Sequence, residues 1–173
     1  MVDKTMETLL WNSLYGLIER SYQQNLCCQR YVDRKRKLKR VIDWIMVLVP
    51  GIGSLLYFWE PIATAFAAAS TAVLGLINNI TPVLTQPESE LSEIDEYAKQ
   101  FSQIRIEAEN LVMRYTHEKD FGDNEVRKVY VKLQKQLEEI EVVMNKLFHH
   151  ISTKENKYLE IETKKYLSKY NHG

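Results

Sequence analysis

Cysteine, proline and glycine are scarce in this 173-residue chain, at two, four and six residues. Few glycines and prolines mean few turns, so the elements should be long. Phosphate-cradling glycine loops, and with them most α/β enzyme folds, are disfavoured. Cys27 and Cys28 are sequence neighbours. Two thiols build neither a disulfide framework nor a four-ligand zinc site, which points to a reducing compartment. A charge surplus is also missing. The chain carries 23 Lys+Arg and 23 Asp+Glu, so no nucleic-acid partner is expected, because an electrostatic nucleic-acid binder needs a basic excess. No signal peptide is expected either: the first 40 residues are polar, and Met1-Val2-Asp3-Lys4 begins no apolar core.

What is present is charge in blocks. Residues 1–40 hold nine Lys/Arg and four Asp/Glu, residues 41–84 hold none and two, residues 85–125 four and eleven, and residues 126–173 ten and six. Four segments in different environments are implied, and three parts are expected: an N-terminal helix over 1–40, a two-span transmembrane hairpin over 41–84, and a helical hairpin over 85–173.

In the first part, Leu10, Leu14, Leu17, Tyr22, Leu26, Tyr31 and Leu38 recur at roughly helical spacing. This helix ends in Arg34, Lys35, Arg36, Lys37, Lys39 and Arg40. In the second part only Asp43 and Glu60 are charged. The run 41–59 has 19 residues and the run 61–84 has 24, and a spanning helix needs about 20 predominantly apolar residues. Phe58-Trp59-Glu60-Pro61 supplies a turn, since Pro61 disfavours helix at Glu60 and can open the next helix. Trp44, Tyr57 and Trp59 stand where interfacial rings are favoured. Basic residues stay on the cytoplasmic side. A hairpin returns the chain to the side it left, so both termini are expected to be cytoplasmic.

Two heptad seams follow. Ile94, Tyr97, Phe101, Ile104, Ala108, Leu111 and Tyr115 are one. Val126, Tyr130, Leu133, Leu137, Ile140, Met144, Leu147 and Ile151 are the other, prolonged weakly by Tyr158 and Ile161. Asp120-Phe121-Gly122-Asp123-Asn124 is a short polar turn, which predicts an antiparallel coiled-coil-like pair. Ser89 or Ser92 suits the N-cap of the first helix. No strand pattern competes, so the fold class is all-α.

Each candidate site has two readings. The basic run Arg34, Lys35, Arg36, Lys37, Lys39 and Arg40 is a topology signal and a contact for anionic lipid head groups, worth about 1 kcal/mol per basic side chain; otherwise it is a solvated helix face. Thr64, Thr71 and Asn78 are seven residues apart on one helix face and are candidates to line a water-filled path in an oligomer. The other reading is packing, for which Ala65, Ala68, Ala69, Ala72 and Gly75 supply small-xxx-small spacings. Pro50 is a helix kink, static or a gate hinge. Asp43 reads as an interfacial ion-pair partner of Lys39 or Arg40, the other reading being a conduction-site carboxylate, and Glu60 reads as a head-group residue. His117, His149, His150 and His172 have no metal-ligand spacing. No cofactor is expected, no residue set supports catalysis, and the chain reads as no enzyme.

The order of parts resembles the SLATT domains, two-transmembrane effectors of prokaryotic conflict systems linked to nucleotide second messengers. The matching stretch is Trp11 to Arg40, with Tyr22-Gln23-Gln24 and Cys27-Cys28-Gln29-Arg30 leading into Arg34-Lys35-Arg36-Lys37-Leu38-Lys39. The resemblance implies a pore-forming or membrane-perturbing effector that kills or arrests the host cell after phage sensing. It would sit in the bacterial inner membrane, with membrane lipid as one partner. One hairpin encloses too little volume for a channel, so a homo-oligomer is expected, and no ligand-binding domain is evident, so a separate sensor protein is expected as trigger. The rival is a membrane-anchored adaptor whose helical pair docks a partner protein. A third reading is a soluble bundle with residues 41–84 as a buried hairpin.

Overall fold

The computed structural model describes residues 4–55, 60–117, 122–148 and 153–170. They form α1 (Lys4–Leu55), α2 (Glu60–Leu84), α3 (Glu88–His117), α4 (Asp123–Leu147) and α5 (Thr153–Leu167), with a single 3₁₀ turn at Ser168–Tyr170. No strand occurs among the described residues, and the fold is all-α. The chain divides into two compact units, residues 1–30 with 92–173 and residues 31–91. The expected Phe58–Trp59 turn, the Tyr57 and Trp59 ring placements, Ile151 of the second seam, and His149, His150 and His172 lie outside the described residues.

The first unit is a bundle of four helical segments. Side-chain pairs fix their directions. Trp11 lies 6.0 Å from Tyr115 between ring centres, and Asn25 Nδ2 donates to the Ala98 carbonyl, so α1 and α3 run antiparallel. Gln24 Nε2 donates to Glu141 Oε1 at 3.2 Å and Cys28 Sγ lies 3.2 Å from Met144 Sδ, so α1 and α4 run parallel. Tyr22 stacks on Tyr166 at 4.0 Å and the Arg30 guanidinium lies 3.8 Å from the Tyr158 ring centre, so α5 runs antiparallel to α1. Up-down-up-down order results, with the whole second unit inserted between the first two segments.

The heptad seams build this core. Ile94, Phe101, Ile104, Ala108 and Leu111 of α3 are buried, as are Val126, Leu133, Leu137 and Met144 of α4. Each large apolar side chain so buried contributes about 1.5–3 kcal/mol. Leu14, Leu17 and Tyr31 of the expected α1 line are buried, and a partly polar line is buried beside them. Leu14, Ile18, Ser21, Asn25 and Cys28 are buried at 4-3-4-3 spacing, whereas Leu38 is exposed. Ser21 is satisfied within its own helix, donating to the Leu17 carbonyl at 2.8 Å, and Asn25 by Ala98.

Three local expectations need correction. The second seam does not continue through Tyr158 and Ile161. Helix α4 ends at Phe148, whose backbone is extended (φ −81°, ψ 118°); α5 then restarts in another phase, burying Leu159 and Thr163 and leaving Ile161 56% exposed. The C-terminal part is therefore three helices, not a pair. Ser89 and Ser92 lie inside α3, whose first bond runs from Leu91 N–H to the Pro87 carbonyl. The N-terminal helix does not stop near residue 40 but continues to Leu55.

Candidate membrane hairpin

The second unit pairs the later half of α1 with α2. Lys35 Nζ donates to the Leu84 carbonyl at 3.2 Å, placing a cation at the negative end of the α2 dipole. Toward the other end, Ile42 shares an open apolar groove of about 330 Å³ with Val73, Ile77, Ile80 and Leu84. Lys35 meets the end of α2 at Leu84, and Ile42, about two turns further along α1, lines a groove that reaches back to Val73, so the two helices are antiparallel. Arg36 closes the base on Glu88, with its Nη2 2.8 Å and its Nε 2.9 Å from Oε1.

The hairpin surface is apolar and uncovered. Trp44 is 64% and Val47 68% exposed on α1, and Leu76 is 61% exposed on α2, with Val41, Leu48, Ile52, Val73 and Ile80 also exposed. Large contiguous apolar surface is uncommon on soluble proteins and marks a membrane or protein contact. Among the described residues, one stretch is long and apolar enough to cross a membrane, the 19 residues Thr64–Pro82, and none of it is buried. Along α1 the exposed surface changes from cationic to largely apolar within about two turns, from Lys37, Lys39 and Arg40 to Val41 and Trp44, with Asp43 between them.

The sequence-predicted positions fall as follows. Arg34, Lys37, Lys39 and Arg40 are exposed; Lys35 and Arg36 are half-buried and turned to Leu84 and Glu88. Thr64, Thr71 and Asn78 are exposed on α2, as are Ala65, Ala68, Ala69, Ala72 and Gly75. Pro50 lies inside α1, which runs on to Leu55. Asp43 is exposed.

Most hydroxyls on α2 are satisfied within their own helix. Ser70 donates to the Phe66 carbonyl at 2.6 Å, Thr71 to Ala67 at 2.8 Å and Thr81 to Ile77 at 2.7 Å. Asn79, beside Asn78, was not singled out from the sequence. It completes a 3-4-3-4 line with Ala65, Ala68, Ala72 and Gly75, and that spacing was the signal available.

In the first unit, Glu141 is a charged residue inside the core, its side chain 8% exposed, held by Arg20 through both carboxylate oxygens and by Gln24. Cys27 and Cys28 are buried. Burial, with Glu155 adding to it, pushes the Cys27 thiol up to about 11. Burial, then Cys27 itself, pushes Cys28 up further. Such thiols are poor nucleophiles.

Compared with protein-family models, with curated proteins and with solved structures, the chain finds no match.

Proposed function

We propose that residues 41–84 insert in the bacterial inner membrane as a two-span hairpin with both termini cytoplasmic, and that the chain is a pore-forming or membrane-perturbing effector. The observation that carries this reading is the uncovered apolar surface of the hairpin, bounded on α1 by exposed Lys37, Lys39 and Arg40. A surface of that size is costly in water and favourable in hydrocarbon. The basic rim suits anionic head groups and retention on the cytoplasmic side.

One hairpin has no interior for ions, so conduction requires several copies around an axis, with Thr64, Thr71 and Asn78 as lining candidates. The helical bundle of the first unit is the part available to receive a signal from a separate sensor. This matches the type of effector implied by the resemblance of Trp11 to Arg40 to SLATT domains, in which opening dissipates the membrane gradient and arrests a phage-infected cell.

Dye release from vesicles tests the reading. Leakage that falls when Thr64, Thr71 and Asn78 are all changed to Leu supports it. Carbonate-resistant insertion without leakage supports the anchored adaptor instead. Release of the chain by carbonate removes both and leaves the soluble bundle.

A further inference from the structure

Resting on that membrane reading, we propose that α2 docks on α2 of a second copy of this chain, through the face bearing Ala68, Ala72, Gly75 and Asn79, with the Asn79 amides hydrogen-bonded across the contact. The argument starts from the polar groups of α2. The hydroxyls of Ser70, Thr71 and Thr81 each bond a carbonyl of their own helix, so they need nothing from outside. The amides of Asn78 and Asn79 are exposed and have no hydrogen-bond partner among the described residues. Asn79 lies five residues before Leu84, roughly 8 Å along the helix. Its short side chain lacks the reach by which Lys or Arg extends to head groups.

The face is the one the hairpin leaves unused. Half-buried Phe66, Ser70, Leu74, Ile77 and Thr81 mark the side of α2 turned to α1. Ala68, Ala72, Gly75 and Asn79 lie within roughly a 60° arc on the far side. Nothing in this chain requires them to be small: a Cβ built at Gly75 meets no atom within 4 Å. A glycine inside a helix nevertheless weakens it relative to alanine, and small residues are what lets two membrane helices approach closely. The larger Val73, Leu76 and Ile80 are placed elsewhere around the helix, where lipid chains suit them.

The occupant follows from complementarity. An amide carries both donors and an acceptor, so its natural complement in hydrocarbon is another amide. A second copy inserted in the same orientation presents Asn79 at the same depth. A lipid tail presents no hydrogen-bonding group at all. Thr64–Pro82 bears no charged residue, so no repulsion opposes the pair.

The full chain in phosphatidylethanolamine–phosphatidylglycerol vesicles provides the test. Copper-catalysed oxidation of Ala72→Cys should cross-link two copies about tenfold more than Leu76→Cys. The native chain, whose two thiols are buried, is the control. Adding Asn79→Leu to Ala72→Cys should cut the cross-link about tenfold, while Asn79→Gln should keep most of it. Equal yields at 72 and 76, or a yield that Asn79→Leu leaves unchanged, overturn the docking. Carbonate extraction and dye release on the same vesicles separate the two claims. Inserted, leaky protein without the position-72 preference sinks the docking alone, docked protein without leakage sinks only the pore, and protein stripped by carbonate sinks both.

Discussion

Burial, not a charged neighbour, is the main influence on the two cysteines, and it holds both as neutral thiols. The folded value for Cys27 is about 11 against an ordinary 9.0. A value raised on folding stabilises the native state fully below about pH 9, and that stability fades as pH rises through 11. Thermal unfolding should therefore show a lower midpoint at pH 10.5 than at pH 8. At pH 8 an aromatic disulfide reagent should label both thiols slowly in the native chain and rapidly in urea; fast native labelling contradicts the buried placement. Glu141 is the other informative residue. Arg20 is 51% exposed, so it regains water when its partner is removed. Glu141→Ala should cost about 1–2 kcal/mol, below the loss expected for a fully enclosed pair, and Glu141→Leu should cost less. Urea unfolding in detergent micelles followed by circular dichroism measures both.

At the scale of elements, α3 and α4 carry the bundle through their apolar seams. Leu133→Ala should cost about 2–5 kcal/mol on the same assay, because a fully enclosed leucine leaves a cavity. These seams were legible in sequence because their positions are apolar and the 3-4 spacing is unbroken; buried Glu141, just off the α4 seam, carries no such signal. The core of α1 was legible only in part: Leu14, Leu17 and Tyr31 are buried as their spacing suggests, but Ser21 and Asn25 occupy positions that a hydrophobicity count skips, and only the Leu17 and Ala98 carbonyls show why they are tolerated. The separate α5 was hidden for the opposite reason. Tyr158 and Ile161 keep the apolar spacing of α4 but lie outside the core, Tyr158 against the Arg30 guanidinium and Ile161 exposed, because the extended backbone at Phe148 ends the α4 phase. In the hairpin, Asn79 falls outside the seven-residue recurrence of Thr64, Thr71 and Asn78, which is the stronger polar pattern in the sequence. The Arg36–Glu88 pair spans 52 positions, a separation that no local pattern encodes.

At the scale of the molecule, the two units differ in what they leave uncovered. The bundle encloses Phe101, Leu133 and Leu137, whereas the hairpin exposes Trp44, Val47 and Leu76. Changing Lys37, Lys39 and Arg40 together to Ala should weaken binding to anionic vesicles by about 1 kcal/mol per site and should send a fraction of hairpins in with inverted orientation. Flotation at two phosphatidylglycerol contents and protease protection read the two effects; unchanged flotation and orientation would assign the basic run to the solvated face. Trp44, one turn beyond Arg40 and open to its surroundings, also makes the chain its own optical reporter. With Trp11 and Trp59 replaced by Phe, emission from the single remaining indole should move to shorter wavelength on mixing with vesicles. Quenching should be strongest by lipids brominated near the carbonyl end of the acyl chain, giving the immersion depth directly from light.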